Sequence, residues 1–154
     1  MNNITNLTDM IASLNDTYSN LEDKSIESFT QIMKCYNGTD WQKYVTCKDD
    51  SYSKNLIYKN DDFDVYLVCW KTNDKTPIHD HSQYGCVYKI LQGQINELKY
   101  DPKSLKNISK NTLKPDTVNY IHNDESYHVM DNVFNKLAIS IHIYSPPKYK
   151  MNIY

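Results

Sequence analysis

The chain has 154 residues, enough for one domain with a sizeable hydrophobic core. Its formal net charge is −2, and all 17 basic residues are lysine. This balance excludes the strongly basic surface of nucleic-acid-binding proteins, and any bound anion must be held without a guanidinium group. No run approaches the roughly 18 apolar residues of a membrane span, and no signal peptide is recognisable. We therefore expect a soluble, cytoplasmic protein that binds neither nucleic acid nor membrane.

Residues 6–36 predict two helices, because apolar side chains recur at three- and four-residue intervals. Thr5 or Asn6 is expected to cap the first helix. Asp23 or Lys24-Ser25 is expected to open the second, and Gly38 to end it through a left-handed conformation. A short third turn is expected near residues 41–45. The helices are expected to pack against a sheet, and their periodic residues are Leu7, Met10, Ile11 and Leu14, then Ile26, Phe29, Ile32 and Met33.

From about residue 52 the pattern changes to short strands. Residues 65–70 form a buried-strand run, and strands at 85–91 and 95–100 flank a Gln92-Gly93-Gln94 turn that predicts a hairpin. Residues 101–115 are polar and predict a surface loop. Further strands are predicted at 117–121, 127–131 and 137–144. Short strands with helices at one end predict a small β-barrel or a double-sheet jelly roll.

The last predicted strand has two distinct faces. Leu137 and the isoleucines that follow at alternate positions form an apolar face, which is expected to pack. The other face carries Ser140, His142 and Tyr144 at a spacing of about 7 Å. In a barrel this face is expected to turn towards a polar cavity. The alternative is an edge strand whose polar face meets solvent.

The segment His79-Asp80-His81 carries the clearest chemical signal. In an extended segment, side chains two positions apart project to the same side, so the two imidazoles are expected to converge. Paired neutral imidazoles are good ligands for divalent iron, zinc, copper or nickel. Cys86 follows closely enough to line the same cavity. The alternative is a pair of surface histidines in a polar turn.

Several segments together resemble cysteine dioxygenase. Ile78-His79-Asp80-His81, followed by Cys86 and then Lys89 to Gly93, resembles the first cupin motif of that family. Similar segments follow at Tyr52-x-Lys54-Asn55-Leu56, Val68-Cys69-Trp70, Tyr120-Ile121 with His128-Val129, and Ser140 to Pro147. The resemblance implies a mainly β cupin barrel with a small N-terminal helical cap. It covers the chain as a single domain, with the cap at about 1–46 and the barrel at about 52–147.

The resemblance also implies a mononuclear Fe(II) site held by three histidines, His79, His81 and His128. His122 competes for the third position, but it does not match the spacing to Tyr120-Ile121, and we expect it in a loop. A three-histidine set carries no charge, unlike the two-histidine-one-carboxylate set of many iron oxygenases.

The remaining site residues also follow from the resemblance. Cys86 and Tyr144 match a pair that many family members join as a thioether cross-link. Tyr144 is implied to be catalytic, with His142 and Ser140 orienting its phenol. The implied substrate-binding residues are Lys54, Tyr52, Tyr144 and Trp70.

The implied activity is oxidation of the thiol of free L-cysteine to cysteine sulfinic acid with O2, by a monomer. Lys54 stands where many members carry arginine to hold the substrate carboxylate. Lysine lacks the planar fork of arginine, so another thiol acid such as 3-mercaptopropionate is an alternative substrate.

Three other functions remain open. A three-histidine site also suits a zinc hydrolase, although His142 is the only general base near it. A cupin that binds metal with little or no turnover is another alternative. Oxidation of protein N-terminal cysteines is less favoured, because Ser82 to Cys86 follow the motif where proline is usual in such enzymes.

Two features outside the motifs also give expectations. The four cysteines, at positions 35, 47, 69 and 86, show no metal-site spacing and are expected to be mostly free thiols. Few residues follow Pro146-Pro147, so the pocket is expected to be more open or to be closed by another subunit. Met151 is expected near its entrance.

Overall fold

The computed structural model describes residues 3–154, which form helices followed by strands. Helix α1 spans Leu7–Ser19, helix α2 spans Phe29–Cys35, and a 3-10 helix covers Asp40–Tyr44. Within residues 3–154, no helix is both long and apolar enough to cross a membrane. The strands are β1 Ser53–Lys59, β2 Asp64–Trp70, β3 Cys86–Gln92, β4 Ile95–Tyr100, β5 Asn107–Leu113, β6 Val118–Ile121, β7 Tyr127–Asp131 and β8 Ala138–Tyr144.

The strands form two antiparallel sheets. The first has the order β1-β2-β8-β3-β6, and the second has the order β5-β4-β7. Side chains from both sheets share one buried cluster, which includes Val68 and Tyr88 of the first sheet and Ile95 and Met130 of the second. This arrangement confirms the predicted mainly β, two-sheet barrel.

The centre of the five-stranded sheet, at β8, is buried on both faces. On its outer face, Ile139, Ile141 and Ile143 pack in one cluster with side chains of α1 and α2. On its inner face, Ser140 and His142 are 0% and 3% exposed. Strand β8 lies between β2 and β3, so the solvent-facing edge considered for it is wrong. The predicted division into a packing face and an inward polar face is confirmed for β8, but Leu137 precedes the strand and is exposed, so its predicted place on the packing face is wrong.

The N-terminal helices confirm the periodicity but correct two local expectations. Asn6 caps α1, and its side chain accepts a 2.8 Å hydrogen bond from the Asp9 backbone N–H. Helix α2 begins at Phe29 and not near Ser25, so Ile26 reaches the core from the preceding turn. Gly38 is not left-handed. A β-carbon there would overlap with the Thr5 carbonyl, because the chain after α2 runs against the N-terminal segment.

The predicted hairpin at Gln92-Gly93-Gln94 is wrong. Strand β3 pairs with β8 and β6, whereas β4 pairs with β5 and β7. Because a strand has only two edges and both edges of β3 are occupied, β4 has no place beside it. The turn carries the chain from one sheet to the other, and Gly93 makes this possible with a φ of +71°.

The predicted loop at 101–115 contains a strand. Asn107–Leu113 forms β5, which pairs with β4 along the edge of the three-stranded sheet. Apart from Leu113, the residues of β5 are exposed or half-buried. A strand with solvent on both sides shows no alternation of apolar and polar residues, and edge strands favour lysine and other polar side chains. Residues 107–113 therefore show no pattern that predicts a strand.

The expectation of free thiols holds for two cysteines and fails for the other two. Cys35 and Cys86 are free, but Cys47 and Cys69 form a disulfide with Cα atoms 5.5 Å apart. Cys47 lies in the loop before β1, and Cys69 lies on β2 opposite Ser53. Only the folding of β1 onto β2 brings the two sulfur atoms together, so the spacing of the two cysteines along the chain does not indicate the bond.

Candidate metal centre

The three histidines come from two parts of the barrel. His79 and His81 lie in the extended segment before β3, and His128 lies on β7. His79 and His128 form an antiparallel bridge in which each backbone N–H donates to the other's carbonyl at 3.2 Å. One nitrogen atom of each imidazole lies within 4.8 Å of the others. All three residues are buried, so the structure does not support the alternative of surface histidines in a polar turn.

The hydrogen bonds of the imidazoles show which atoms face the centre of the cluster. His79 Nδ1 lies 3.0 Å from the Pro77 carbonyl oxygen, and His128 Nδ1 lies 2.8 Å from Glu97 Oε2. Both bonds leave Nε2 free. Within residues 3–154, neither ring nitrogen of His81 has a hydrogen-bond partner. A buried polar atom without a partner is costly, and a metal ion at the centre would supply the missing one.

Burial also sets the protonation of this cluster. It lowers the pKa of His79, His81 and His128, because a charged imidazole loses its hydration inside the barrel. The imidazoles are therefore neutral near pH 7, which is the form that binds metals. Charge, geometry and the unpartnered nitrogens of His81 all fit a mononuclear metal site.

Asp80 faces away from the cluster, because neighbouring side chains of an extended segment project to opposite sides. Its Oδ1 atom accepts hydrogen bonds from the Tyr149 hydroxyl at 2.8 Å and from the Asn152 backbone N–H at 2.9 Å. These contacts draw the segment after β8 over the site. Tyr149 and Met151 line the pocket as a result, so this chain's own residues form part of its wall.

A pocket of about 190 Å³ opens beside the histidines. On its β8 side runs a chain of hydrogen bonds. Trp70 Nε1 donates to Ser140 Oγ at 2.8 Å, and Ser140 Oγ lies 2.8 Å from His142 Nε2. Because the buried serine hydrogen needs an acceptor, His142 accepts at Nε2 and carries its own hydrogen on Nδ1. That Nδ1 atom lies 3.4 Å from the Tyr144 hydroxyl oxygen.

Cys86 and Tyr144 are neighbours across two paired strands. Their Cα atoms are register partners between β3 and β8, and both side chains are buried. Cys86 Sγ also lies 4.0 Å from His142 Nδ1. Burial raises the pKa of the Cys86 thiol, so the protonated form is favoured.

Lys54 and Tyr52 stand at the outer part of the pocket. Tyr52 stacks on Trp70 with ring centroids 4.9 Å apart. Lys54 is exposed, and its ammonium lies 4.4 Å from the ring centroid of Tyr144 and 4.6 Å from that of Tyr66. The structure thus brings every predicted site residue to one region. His122, by contrast, lies in the turn after β6 and outside the histidine cluster.

Sequence reasoning missed three residues near the site, namely Glu97, Tyr88 and Tyr149. Two of them carry a signal in strand alternation. Glu97 shares its face of β4 with the buried Ile95, and Tyr88 shares its face of β3 with Cys86. An acid on a core-facing position is unusual enough to mark a site. Tyr149 follows the last strand, where no periodicity applies.

Comparison with known proteins places this site in a family. The family model described as cysteine dioxygenase type I matches residues 2–154. The chain belongs to the cysteine dioxygenase type I family. A relative named cysteine dioxygenase type 1 from Danio rerio is 29% identical, and the match covers 92% of this chain and 75% of the relative. A relative of the same name from Rattus norvegicus is 30% identical, and the match covers 92% of this chain and 74% of the relative. The protein is therefore an enzyme of the dioxygenase class of oxidoreductases.

Solved structures agree on the fold of this cysteine dioxygenase. A cupin superfamily protein from Desulfitobacterium hafniense matches with a TM-score of 0.55 at 14% identity, covering 71% of this chain and 90% of that one. A protein with a double-stranded β-helix domain from Klebsiella pneumoniae matches with a TM-score of 0.61 at 12% identity, covering 73% and 86%. The cupin barrel implied by the sequence motifs is confirmed.

Proposed function

We propose that this cysteine dioxygenase uses Fe(II) to oxidise the thiol of free L-cysteine with O2, giving cysteine sulfinic acid. The overall change adds both oxygen atoms to sulfur, R–SH + O2 → R–SO2H. The observation that carries the proposal is the cluster of three buried, neutral histidines beside a small pocket that also contains Lys54 and Tyr144.

His79, His81 and His128 would hold the metal through one ring nitrogen each. The set is neutral and purely nitrogenous, and imidazole nitrogens are good ligands for Fe(II). Fe(II), when bound, supplies a dication that favours the thiolate form of the substrate and lets O2 react with sulfur.

Lys54 would hold the substrate carboxylate. Its ammonium stands over the ring of Tyr144, at the side of the pocket that meets solvent. Tyr52 and Trp70 form an aromatic wall next to it. A pocket of about 190 Å³ accommodates an amino acid as small as cysteine.

Tyr144 would orient the substrate or oxygen through its hydroxyl. His142 Nδ1–H points at the phenol oxygen, so the phenol hydrogen is free to be donated into the pocket. Ser140 and Trp70 hold His142 in that tautomer. Burial raises the pKa of Tyr144, which keeps it a hydrogen-bond donor at neutral pH.

A thioether between Cys86 Sγ and the Tyr144 ring is part of the proposal. The register of β3 and β8 supports it, because the two residues are direct cross-strand partners. Formation of the bond breaks the S–H bond and one ring C–H bond, and O2 takes up the two protons and two electrons to become H2O2. Peptide mass spectrometry after aerobic turnover would show a linked pair lighter by two hydrogens. Its absence in an active enzyme would remove the cross-link from the proposal.

The deciding experiment is oxygen uptake by iron-loaded protein offered L-cysteine, 3-mercaptopropionate and cysteamine in parallel, with product masses recorded. Uptake with L-cysteine and a gain of two oxygen atoms would support the proposal. Reaction with 3-mercaptopropionate alone would keep the chemistry and change the substrate. No uptake with any thiol, despite bound iron, would overturn the proposed activity.

A further inference from the structure

Glu97 is a buried carboxylate at the back of the histidine cluster. It lies on β4 and is 1% exposed. Its Oε2 atom accepts a 2.8 Å hydrogen bond from His128 Nδ1 and a second from the Tyr88 hydroxyl. Its Oε1 atom accepts a weaker one of 3.4 Å from the Asn119 side-chain amide. Since burying a carboxylate is costly, three donors converging on it indicate a position that the fold maintains.

The imidazole rings of the three histidines differ in their hydrogen-bond partners. The ring of His79 is hydrogen-bonded to a neutral backbone carbonyl, and the ring nitrogens of His81 have no hydrogen-bond partner within residues 3–154. His128 alone is hydrogen-bonded to a carboxylate. The acid within the histidine motif, Asp80, instead binds groups of the segment after β8. The cluster is therefore asymmetric, since a carboxylate is hydrogen-bonded to only one of the three imidazoles.

We propose that Glu97 is a positioning residue of the metal centre. It holds His128 in the Nδ1–H tautomer, aims Nε2 at the metal position, and places a carboxylate behind a ligand set that has no charge of its own. A carboxylate behind a histidine ligand makes the imidazole a stronger donor. The inference rests on the metal site of the proposed function and does not depend on thiol oxidation.

Tyr88 is the second part of this arrangement. Its hydroxyl donates to the same Glu97 oxygen that His128 uses, which restrains rotation of the carboxylate. Its ring stacks on His142 with centroids 5.4 Å apart and an interplanar angle of 16°. Tyr88 therefore connects the carboxylate behind His128 to the imidazole that faces Tyr144.

The test measures metal affinity without thiol or turnover. Metal-free wild type, Glu97→Gln and Glu125→Gln would each be titrated with Co(II) against a chromophoric chelator. Glu125 is a matched control, because its carboxylate pairs with Lys99 at the protein surface. We expect Glu97→Gln to bind Co(II) roughly 10- to 100-fold more weakly and Glu125→Gln to match wild type. Equal affinity of Glu97→Gln and wild type would overturn the proposal.

A second readout follows the tautomer directly. Long-range 1H–15N spectra of metal-free wild type should show His128 protonated at Nδ1, and protonation at Nε2 would overturn the proposal. If Glu97→Gln does not fold, Tyr88→Phe decides the question. Loss of this one donor should weaken Co(II) binding severalfold, whereas unchanged affinity would count against the proposal. If Co(II) affinity depends on Glu97 as expected but the wild type oxidises no thiol, only the proposed function is contradicted.

Discussion

Lys54 illustrates how much a single side chain can decide about substrate choice. It is exposed at the edge of the pocket, whereas His142 and Tyr144 are buried. An ammonium is a point charge that accepts a carboxylate from many directions, while the guanidinium group of arginine imposes planar geometry. Lys54 therefore supplies attraction for any small thiol acid and contributes little discrimination among them.

Replacement of Lys54 tests its role in binding. Lys54 is exposed as a residue, yet burial lowers the pKa of its ammonium, which is therefore partly desolvated. We expect its loss to cost about 1–2 kcal/mol, which is roughly a 5- to 30-fold rise in KM for L-cysteine. The kcat should change little, since Lys54 does not contact the histidine cluster through a hydrogen bond. Steady-state kinetics of Lys54→Ala measure both values. Lys75→Ala is the control, because Lys75 forms a surface ion pair with Asp131. An unchanged KM for Lys54→Ala would mean that another group holds the carboxylate.

His128 is the ligand candidate that lies apart from the others in the sequence. Replacing it with alanine removes one of three donors, so we expect His128→Ala to lose stoichiometric iron and activity together. Metal analysis after purification with added Fe(II) checks this. His122→Ala is the matched control, because His122 lies outside the cluster and should leave iron content unchanged. Full iron occupancy in His128→Ala would contradict the ligand assignment.

At the scale of elements, β8 and the β1–β2 pair place five of the side chains that line the pocket, namely Lys54, Val68, Trp70, His142 and Tyr144. Strand β8 is central in its sheet and aims Ser140, His142 and Tyr144 inwards through simple alternation. The loop before β1 is held by several contacts, in which Lys48 N–H donates to Ser53 Oγ at 2.7 Å and Asn55 Nδ2 donates to the Thr46 carbonyl at 3.0 Å. The Cys47–Cys69 disulfide joins this loop to β2.

The disulfide should contribute measurable stability. Its two cysteines are 22 residues apart, and closing a loop of this size restricts the unfolded chain by about 3 kcal/mol. Urea unfolding of the oxidised protein should therefore show Cys47→Ser to be less stable than wild type by up to that amount. Cys35→Ser is the control, since Cys35 is free and half-buried. Equal stability of oxidised wild type and Cys47→Ser would indicate that the bond does not restrict the unfolded state.

At the scale of the whole molecule, the barrel interior is both the core and the site. The two sheets enclose four histidines, which are 7% exposed or less: His79, His81, His128 and His142. Burial lowers the pKa of each one from its ordinary value of 6.5. The unfolded chain thus binds more protons than the folded chain just below that pH, so acid favours unfolding.

We predict that the metal-free protein loses stability as the pH falls below 6.5. Each buried imidazole lowers the free energy of unfolding by up to about 1.4 kcal/mol per pH unit. This contribution stops once the pH is below the pKa of that imidazole in the folded protein. Urea unfolding at about pH 7.5 and about pH 5.5 measures it. His142→Asn should reduce the slope, because one titrating group is removed. A free energy of unfolding that is the same at both pH values would contradict the prediction.

The sequence by itself determined the fold class, the helix periodicities and the candidate site residues. These depend on local patterns, such as alternation along β8 and the spacing of His79 and His81, or on motifs that a family shares. The tertiary structure decided the rest. Whether β3 pairs with β4, and whether residues 107–113 form a strand, depends on which strand edges are free after the sheets assemble.

Some contacts of the site were likewise decided by the tertiary structure and not by local sequence patterns. The contact of Glu97 with His128 joins β4 to β7, and the Cys47–Cys69 bond joins a loop to β2. Each pair is separated along the chain by 22 residues or more, and no periodicity extends that far. The spacing of His79 and His81, together with the family resemblance for His128, identified the candidate ligands. The residues that support them were identified only by tertiary packing, because packing alone brings distant side chains within hydrogen-bond distance.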